Sequence, residues 1–263
     1  MDRIAVIATH HKAGTVWLNH TFRKIGEALA IRVVNVGRDA VLGGEERTAP
    51  LILLAANSKL DKYPGLMAHE PARALHVVRD PRDVLISGMH YHCRAPEKWL
   101  DRAENKFGGR TYREALTALP TARARLMFEM EHAAGKNIAS MLRWDRADAK
   151  SFETQYEALM HDTEGALFVR IAHHLGFAGG ELETCRQVFW RHALFGGAAP
   201  RKDEMQHVRS GAVEQWRTVF DRTLAEAFAA RFGDALIQLG YERGGGWIAP
   251  LPAMNPALDA PLG

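Results

Sequence analysis

The feature that most constrains this chain is a strand–loop–helix unit at its N-terminus. Residues 4–8 form a short apolar run, Ile-Ala-Val-Ile-Ala, which is typical of a buried strand. A loop containing Lys12, Gly14 and Thr15 follows, and apolar residues then recur at helical spacing as far as Leu29. Because the start of a helix presents backbone N–H groups and the positive end of its dipole, this unit predicts an anion-binding site.

The residue types in the loop suit a bound phosphate. Gly14 lets the backbone approach the anion closely, Thr15 offers a hydroxyl donor, and Lys12 supplies a positive charge. The order of Lys and Gly is not that of a Walker A loop, which ends Gly-Lys-Ser/Thr, and Thr9 stands where the leading Gly of that motif belongs. We therefore do not expect the usual cradle for a magnesium nucleotide.

A second strand-to-helix junction follows later in the chain. Residues 75–78 predict a buried strand, and Arg79 comes directly after it, at the edge where open α/β sheets place their ligand groups. Pro81 suits the first turn of a helix, and Ser87 lies about two turns further along, where it could point the same way as Arg79. We interpret Arg79 and Ser87 together as ligand residues and Arg82 as a surface residue.

These segments resemble those of the sulfotransferases that use 3′-phosphoadenosine-5′-phosphosulfate (PAPS). In that family a Lys-x-Gly-Thr-x-Trp loop holds the 5′-phosphosulfate, and an Arg-x-x-x-Asp-x-x-x-Ser segment holds the 3′-phosphate. A third segment is similar to the family's Arg-Lys-Gly loop, and a fourth is similar to the Tyr-Glu-Asp segment whose Tyr touches the adenine. In chain order the matching segments are Lys12 to Trp17, Arg79 to Ser87, Tyr156-Glu157, and Val208-Arg209-Ser210-Gly211.

The resemblance implies an α/β fold, a P-loop-like sandwich in which helices flank a central, mostly parallel sheet. It implies a single sulfotransferase domain over residues 1–243, followed by a Gly/Pro-rich tail over residues 244–263 that we expect to be loosely ordered. The implied cofactor is PAPS, with PAP as its product and no metal. The implied cofactor-binding residues are Lys12, Ala13, Gly14, Thr15, Val16, Trp17, Arg79, Ser87, Tyr156, Phe189, Arg209, Ser210 and Gly211.

Two of these positions have alternatives. The resemblance implies that Trp17 stacks on the adenine, with Phe189 or Trp190 on the other face, and the sequence does not choose between these two. A Trp near the start of a helix is also typical of a core residue. Trp216 we interpret as core.

Sulfuryl transfer requires a cation at the leaving phosphate and a base for the acceptor. Lys12 is the candidate cation. A His of near-neutral pKa is the natural base, and His69 in the segment Met67-Ala68-His69 matches the family's Lys-Thr-His base, with the Lys replaced. His11 is the alternative base because it adjoins Lys12. We expect contacts to the acceptor from His11, His69, His90 and His92, with surface positions as the alternative for the last two.

Composition fits a cytoplasmic enzyme. A chain of 263 residues with 47% hydrophobic content can bury a full core. Two cysteines provide neither a disulfide framework nor a zinc pattern, which suits a reducing compartment. No apolar run reaches membrane-spanning length, and a net charge of +3 does not indicate a nucleic-acid surface. We expect a small-molecule or glycoconjugate acceptor, with a homodimer left open.

Three function classes remain, and PAPS-dependent sulfuryl transfer leads. A P-loop-type kinase acting on a small molecule is disfavoured by the Lys/Gly order and by the lack of a convincing metal-binding Asp on a strand. A non-catalytic anion-binding protein of the same fold is supported only by the loss of the family's Lys at Met67. The thirteen His residues do not predict a metal site, because His-Glu-x-x-His is absent and adjacent His residues point apart.

Outside the motifs, hydrophobic periodicity predicts the remaining elements. Residues 32–36 predict a strand, and residues 52–56 form an apolar element of undecided type. Residues 88–119 are polar and irregular. Helices are predicted over 122–144 (bent near Gly135), 163–175, 181–194 and 221–239.

Overall fold

The computed structural model describes residues 3–36, 50–56, 67, 72–193 and 211–262. These residues cluster into two compact units. The sheet unit lies within Met1–Arg79 and Arg143–Gly211, and the helical unit lies within Asp80–Leu142 and Ala212–Gly263. Three predicted site residues lie outside the described residues: His69, Arg209 and Ser210.

The sheet unit is built on five strands among the described residues, and every neighbouring pair is parallel. Their spatial order is β2-β3-β1-β4-β5. The bounds are β1 Ile4–Thr9, β2 Arg32–Asn35, β3 Leu51–Ala56, β4 Ala72–Val78 and β5 Ser151–Gln155. The expected mostly parallel α/β sheet is confirmed. The undecided element over residues 52–56 is strand β3, whose continuous apolar run suits a strand buried on both faces.

Helices follow and separate these strands. In chain order they are α1 Thr15–Leu29, α2 Pro81–His92, α3 Tyr112–Thr117, α4 Ala122–Glu129, α5 Gly135–Leu142, α6 Tyr156–His161, α7 Ala166–His174, α8 Gly180–His192, α9 Trp216–Val219, α10 Arg222–Gln238 and α11 Pro256–Asp259. Short 3₁₀ segments span Lys98–Asp101, Asn105–Phe107 and Gly245–Ile248, and a π segment spans Met130–Ala134.

Within the sheet unit, helix α1 buries one apolar face that includes Leu18, Phe22 and Ile25. It packs against the sheet and against α8, and α8 packs against α7. The predicted helix over residues 163–175 begins later, at Ala166, because the Asp162 carboxylate accepts the N–H groups of the first turn of α7 at 3.0 and 2.8 Å. Helices therefore flank the sheet, as expected.

In the helical unit, α2 begins as the sequence predicts. Asp80 accepts the N–H of Arg82 at 2.9 Å, and Pro81 occupies the first helical position. The bend expected near Gly135 is the π segment that ends at Ala134 and divides α4 from α5. Trp216 is buried, as expected, and its backbone N–H donates to the buried Asp83 carboxylate at 3.0 Å.

Arg82 is not the surface residue that we expected. Its side chain is 2% exposed and pairs with Asp80 and with Glu242, each at 2.7 Å. Its guanidinium carbon also lies 3.5 Å from the centre of the Trp216 ring. Two carboxylates and an aromatic face supply the partners that a buried cation requires. Glu242 and Trp216 lie far along the chain, so local sequence could not show this.

Two regions that the sequence predicts to be irregular contain regular secondary structure. Residues 88–119 include the end of α2, two 3₁₀ segments and α3, which begins with a capping box between Thr111 and Glu114. The tail carries a 3₁₀ segment and α11, and buries Trp247, Leu251 and Leu258. These apolar side chains anchor a segment whose Gly and Pro content suggested looseness. The division into one domain and a tail stays a prediction.

Candidate functional site

Residues 10–14, between β1 and α1, form what we term the Lys12 loop. Lys12 and Gly14 both adopt left-handed backbone conformations, with φ of 67° and 83°. The His10 carbonyl accepts the Ala13 N–H at 3.0 Å and the Thr15 hydroxyl at 2.8 Å, which folds the loop back toward β1. The Thr15 hydroxyl expected to donate to a phosphate thus donates to His10. Gly14 is the N-cap and provides no side-chain cap, so the start of α1 suits an anion.

Long-range contacts surround the Lys12 loop. Arg79 donates to the Lys12 carbonyl at 2.8 Å, and its guanidinium carbon lies 4.6 Å from the centre of the Tyr156 ring. Tyr156 is 2% exposed and its hydroxyl donates to the Gly211 carbonyl at 3.0 Å. A Cβ on Gly14 would lie 2.9 Å from Cδ2 of Tyr156. Residues from four distant segments thus meet at one place in the sheet unit.

Trp17 takes the core position that was the alternative to adenine stacking. It is 5% exposed and its indole N–H donates to the His192 carbonyl at 2.9 Å. Its ring lies 5.7 Å from that of Phe189, which is fully buried and stacks on Phe168 at 4.2 Å. Trp190 is 51% exposed. Phe189 rather than Trp190 therefore faces Trp17, and the adenine contacts stay predictions.

The remaining predicted residues of the sheet unit differ in exposure. Ala13 is buried and Val16 is 43% exposed. His11 is half-buried beside Lys12 in the loop. The position of His11 is compatible with its assignment as the alternative base, which stays a prediction.

Three predicted site residues belong to α2 in the helical unit. Ser87 is half-buried and His90 is exposed. His92 is 1% exposed, with Nδ1 3.0 and 2.9 Å from the two carboxylate oxygens of Glu129. The Tyr112 hydroxyl donates to the same carboxylate at 2.7 Å, and burial together with Glu129 raises the pKa of Tyr112 far above its ordinary value. His92 is thus buried and not at the surface, and its contact with the acceptor stays a prediction.

A largely buried polar ladder joins strands β4 and β5 to the first residue after β1, and the sequence did not predict it. It consists of His10, His76 and Glu153. Nε2 of His10 lies 2.7 Å from Nε2 of His76, and Nδ1 of His76 lies 2.8 Å from the Glu153 carboxylate. Arg146 donates to that carboxylate at 2.8 Å, and Trp144 stacks on the His76 ring at 4.6 Å. The available signal was the His inside the apolar end of β4, whereas β5 is largely polar, so Glu153 does not stand out there.

Burial controls the charges in the polar ladder. Burial, then the neighbouring His76 and Arg143, lower the pKa of His10 to about 3. Burial also lowers the pKa of His76, against the opposing effect of Glu153. Burial opposes ionisation of Glu153, but hydrogen bonds from His76 and Arg146 outweigh it and lower its pKa. At neutral pH both His rings are therefore neutral and Glu153 is charged.

Within the described residues, no three His, Cys, Asp or Glu side chains lie close enough together to hold a metal ion. Among the helices that the structure describes, none combines the length and the apolar character needed to cross a bilayer.

The geometry defines the class of protein. A parallel sheet carries a Gly-containing loop between its central strand β1 and helix α1, and Arg79 follows the neighbouring strand β4. This is the arrangement of a phosphate-binding α/β protein of the P-loop-like type. The family model for the sulfotransferase domain matches residues 2–240, and the chain belongs to that family. The expectation of a PAPS-dependent sulfotransferase is thereby confirmed at the level of the family, against the kinase alternative.

One solved structure shares the fold, and two others are similar at lower TM-scores. Mouse sulfotransferase SULT7A1 complexed with PAP is 18% identical, with 89% of this chain and 84% of that chain covered and a TM-score of 0.58. Retinol dehydratase in complex with retinol and PAP is 16% identical, with 89% and 81% covered and a TM-score of 0.49. Retinol dehydratase in complex with androsterone and inactive cofactor PAP is 16% identical, with 89% and 80% covered and a TM-score of 0.47. No curated protein matches in a sequence search.

Proposed function

We propose that this chain transfers the sulfuryl group of PAPS to a hydroxyl or amine of a small-molecule or glycoconjugate acceptor, without a metal. The observation that carries the proposal is the Lys12 loop at the start of α1. Its Gly14 lies so close to Tyr156 that a side chain there would fill the cradle. Arg79 stands at the same loop, bonded to the Lys12 carbonyl. A backbone cradle with an adjacent guanidinium is the donor set that a phosphate group requires.

The proposed roles of the residues follow from where charge and protons move. PAPS supplies an activated sulfuryl group whose leaving group is a phosphate. Lys12 stabilises the negative charge that grows on the leaving oxygen, and a cation placed there in advance lowers the barrier. His69 takes the proton of the acceptor, with His11 as the alternative base. Arg79, Ser87 and Arg209 are proposed to bind the 3′-phosphate.

Calorimetry tests the cofactor assignment without requiring an acceptor. We expect PAP to bind at least about tenfold more tightly than 5′-AMP in the absence of Mg²⁺, because charge-assisted hydrogen bonds to a 3′-phosphate contribute about 1.5–3 kcal/mol. Adenosine 2′,5′-bisphosphate is the matched control, since it carries the same charge at the wrong position. Equal affinities for PAP and 5′-AMP would show that no 3′-phosphate site exists.

Turnover separates an enzyme from a non-catalytic binder of the same fold. We expect release of PAP from PAPS in the presence of an acceptor library, with sulfated products identified by mass spectrometry. Tight binding of PAP with no sulfated product from any acceptor would favour the non-catalytic alternative.

A further inference from the structure

The polar ladder of His10, His76 and Glu153 follows the register of the sheet. His76 on β4 lies opposite Glu153 on β5 and opposite Ala8 on β1. His10 lies two residues beyond Ala8, so period-two alternation places it on the same side as His76. The side chains form one continuous series of hydrogen bonds that ends at His10, the first residue of the Lys12 loop.

The protonation states fix which group donates in each hydrogen bond of the ladder. The Glu153 carboxylate can only accept, so His76 donates to it from Nδ1. The neutral His76 ring then accepts at Nε2, and His10 donates to it from its own Nε2 at 2.7 Å. The orientation of the His10 ring is therefore set by a carboxylate two strands away.

His10 connects the polar ladder to the Lys12 loop. Its carbonyl accepts hydrogen bonds from two positions in the loop region, the N–H of Ala13 and the hydroxyl of Thr15. Lys12 lies between His10 and Ala13, and its left-handed backbone is uncommon for a residue with a side chain. Such a conformation persists only where its surroundings enforce it. His10 on one side and Arg79 on the other hold the Lys12 backbone in place.

We propose that His10, His76 and Glu153 are positioning residues, which set the backbone of the Lys12 loop and thereby the place of the Lys12 amine at the leaving phosphate. This inference rests on the proposed function. The ladder residues act through the loop and contact neither PAPS nor the acceptor. Loosening them displaces a group that acts mainly in the transition state, so turnover is affected more than cofactor binding.

The test is a set of variants assayed for PAPS turnover and for PAP binding. His76→Phe retains a ring to stack on Trp144 but removes both nitrogens. We expect it to lower kcat about tenfold or more, because small misplacements of catalytic groups have effects of up to about 100-fold, while the Kd for PAP changes less than about threefold. We expect the same changes in kcat and Kd for His10→Phe. The kcat of the double variant should be no lower than that of the less active single variant, because the two residues act as one unit.

Matched controls separate positioning from general loss of structure. His174→Phe removes a half-buried His of the same unit, which bonds the Lys150 carbonyl, and should leave kcat unchanged. Glu153→Gln keeps an oxygen that accepts from His76 and should retain most of the rate, whereas Glu153→Leu should lose it. The Glu153 pair decides the question if His76→Phe does not fold.

The outcomes distinguish the two proposals. Absence of PAPS turnover by the parent enzyme would overturn the proposed function and this inference with it. Normal kcat in His76→Phe and Glu153→Leu, with an active parent, would overturn the positioning role alone. A nitrogen-15 spectrum of the parent adds a readout free of turnover, in which we expect His10 protonated at Nε2 and His76 at Nδ1. Any other tautomers would refute the ladder.

Discussion

Replacement of Gly14 by Ala tests the steric basis of the cradle. Gly14 has φ of 83°, a left-handed conformation that costs an L-residue with a Cβ about 1–2 kcal/mol. The new Cβ would also lie 2.9 Å from Cδ2 of Tyr156. That ring cannot retreat easily, because Arg79 covers it and its hydroxyl is bonded to Gly211. Overpacking of a well-packed site costs about 1–3 kcal/mol, so the expected total is about 2–5 kcal/mol.

Gly109→Ala is the matched control for this substitution. Gly109 has φ of 81°, and a Cβ added there would have no neighbour within 4 Å. The control therefore carries the backbone cost alone, about 1–2 kcal/mol. The free energy of unfolding, measured by urea denaturation for both variants, gives the cost of the Tyr156 contact as their difference.

We expect Gly14→Ala to be the more destabilised variant by about 1–3 kcal/mol. The excess should largely disappear in a Tyr156→Ala background, because the two residues are in direct contact. PAP affinity should fall in Gly14→Ala and stay unchanged in Gly109→Ala. Equal destabilisation of the two glycine variants would refute the argument, since the Tyr156 ring would then yield at no cost.

Four further predictions concern the catalytic groups, the buried charges and pH. Lys12→Ala should lower kcat on the order of 100-fold with little change in PAPS affinity, and a rise in KM alone would identify Lys12 as a ground-state binder. His69→Ala should abolish turnover of an alkyl alcohol and leave PAP affinity unchanged, because a base acts on the acceptor and not on the cofactor. The defect should be smaller for acidic phenols, which lose their proton more easily. If His11→Ala shows this pattern and His69→Ala does not, His11 is the base. Arg82→Ala should lower the free energy of unfolding by about 3–5 kcal/mol, because Asp80 and Glu242 lose their buried cation. Arg217→Ala, at an exposed Arg on the same Trp216 ring, is the control and should lower it by less than about 1 kcal/mol. Similar unfolding free energies for the two variants would contradict this prediction. The free energy of unfolding should fall as the pH drops from about 6.5 towards about 3, because His10 takes up a proton in the unfolded chain but not in the folded one, where its pKa is about 3. If the free energy of unfolding of His10→Phe depends on pH as that of the parent does, His10 is not the origin of the effect.

Local sequence was sufficient for the elements that carry the site. The apolar run of β1, the Gly14 turn and the start of α1 are set by steric and hydrogen-bonding rules that act within a few residues. The same holds for Asp80 and Pro81 at the start of α2. A continuous apolar strand followed by a helix also predicts a parallel sheet, which the structure has.

Tertiary structure alone decided which distant residues meet. Tyr156 lies against Gly14, and His76 joins His10 to Glu153, through strand neighbours that no local pattern specifies. Arg82 shows the reason most clearly: its charge suggested a surface position, and Glu242 and Trp216 made burial possible. Local sequence patterns determine which backbone conformations are favourable for a short segment. The free energy of burying a polar group depends instead on partners that only the folded chain brings together.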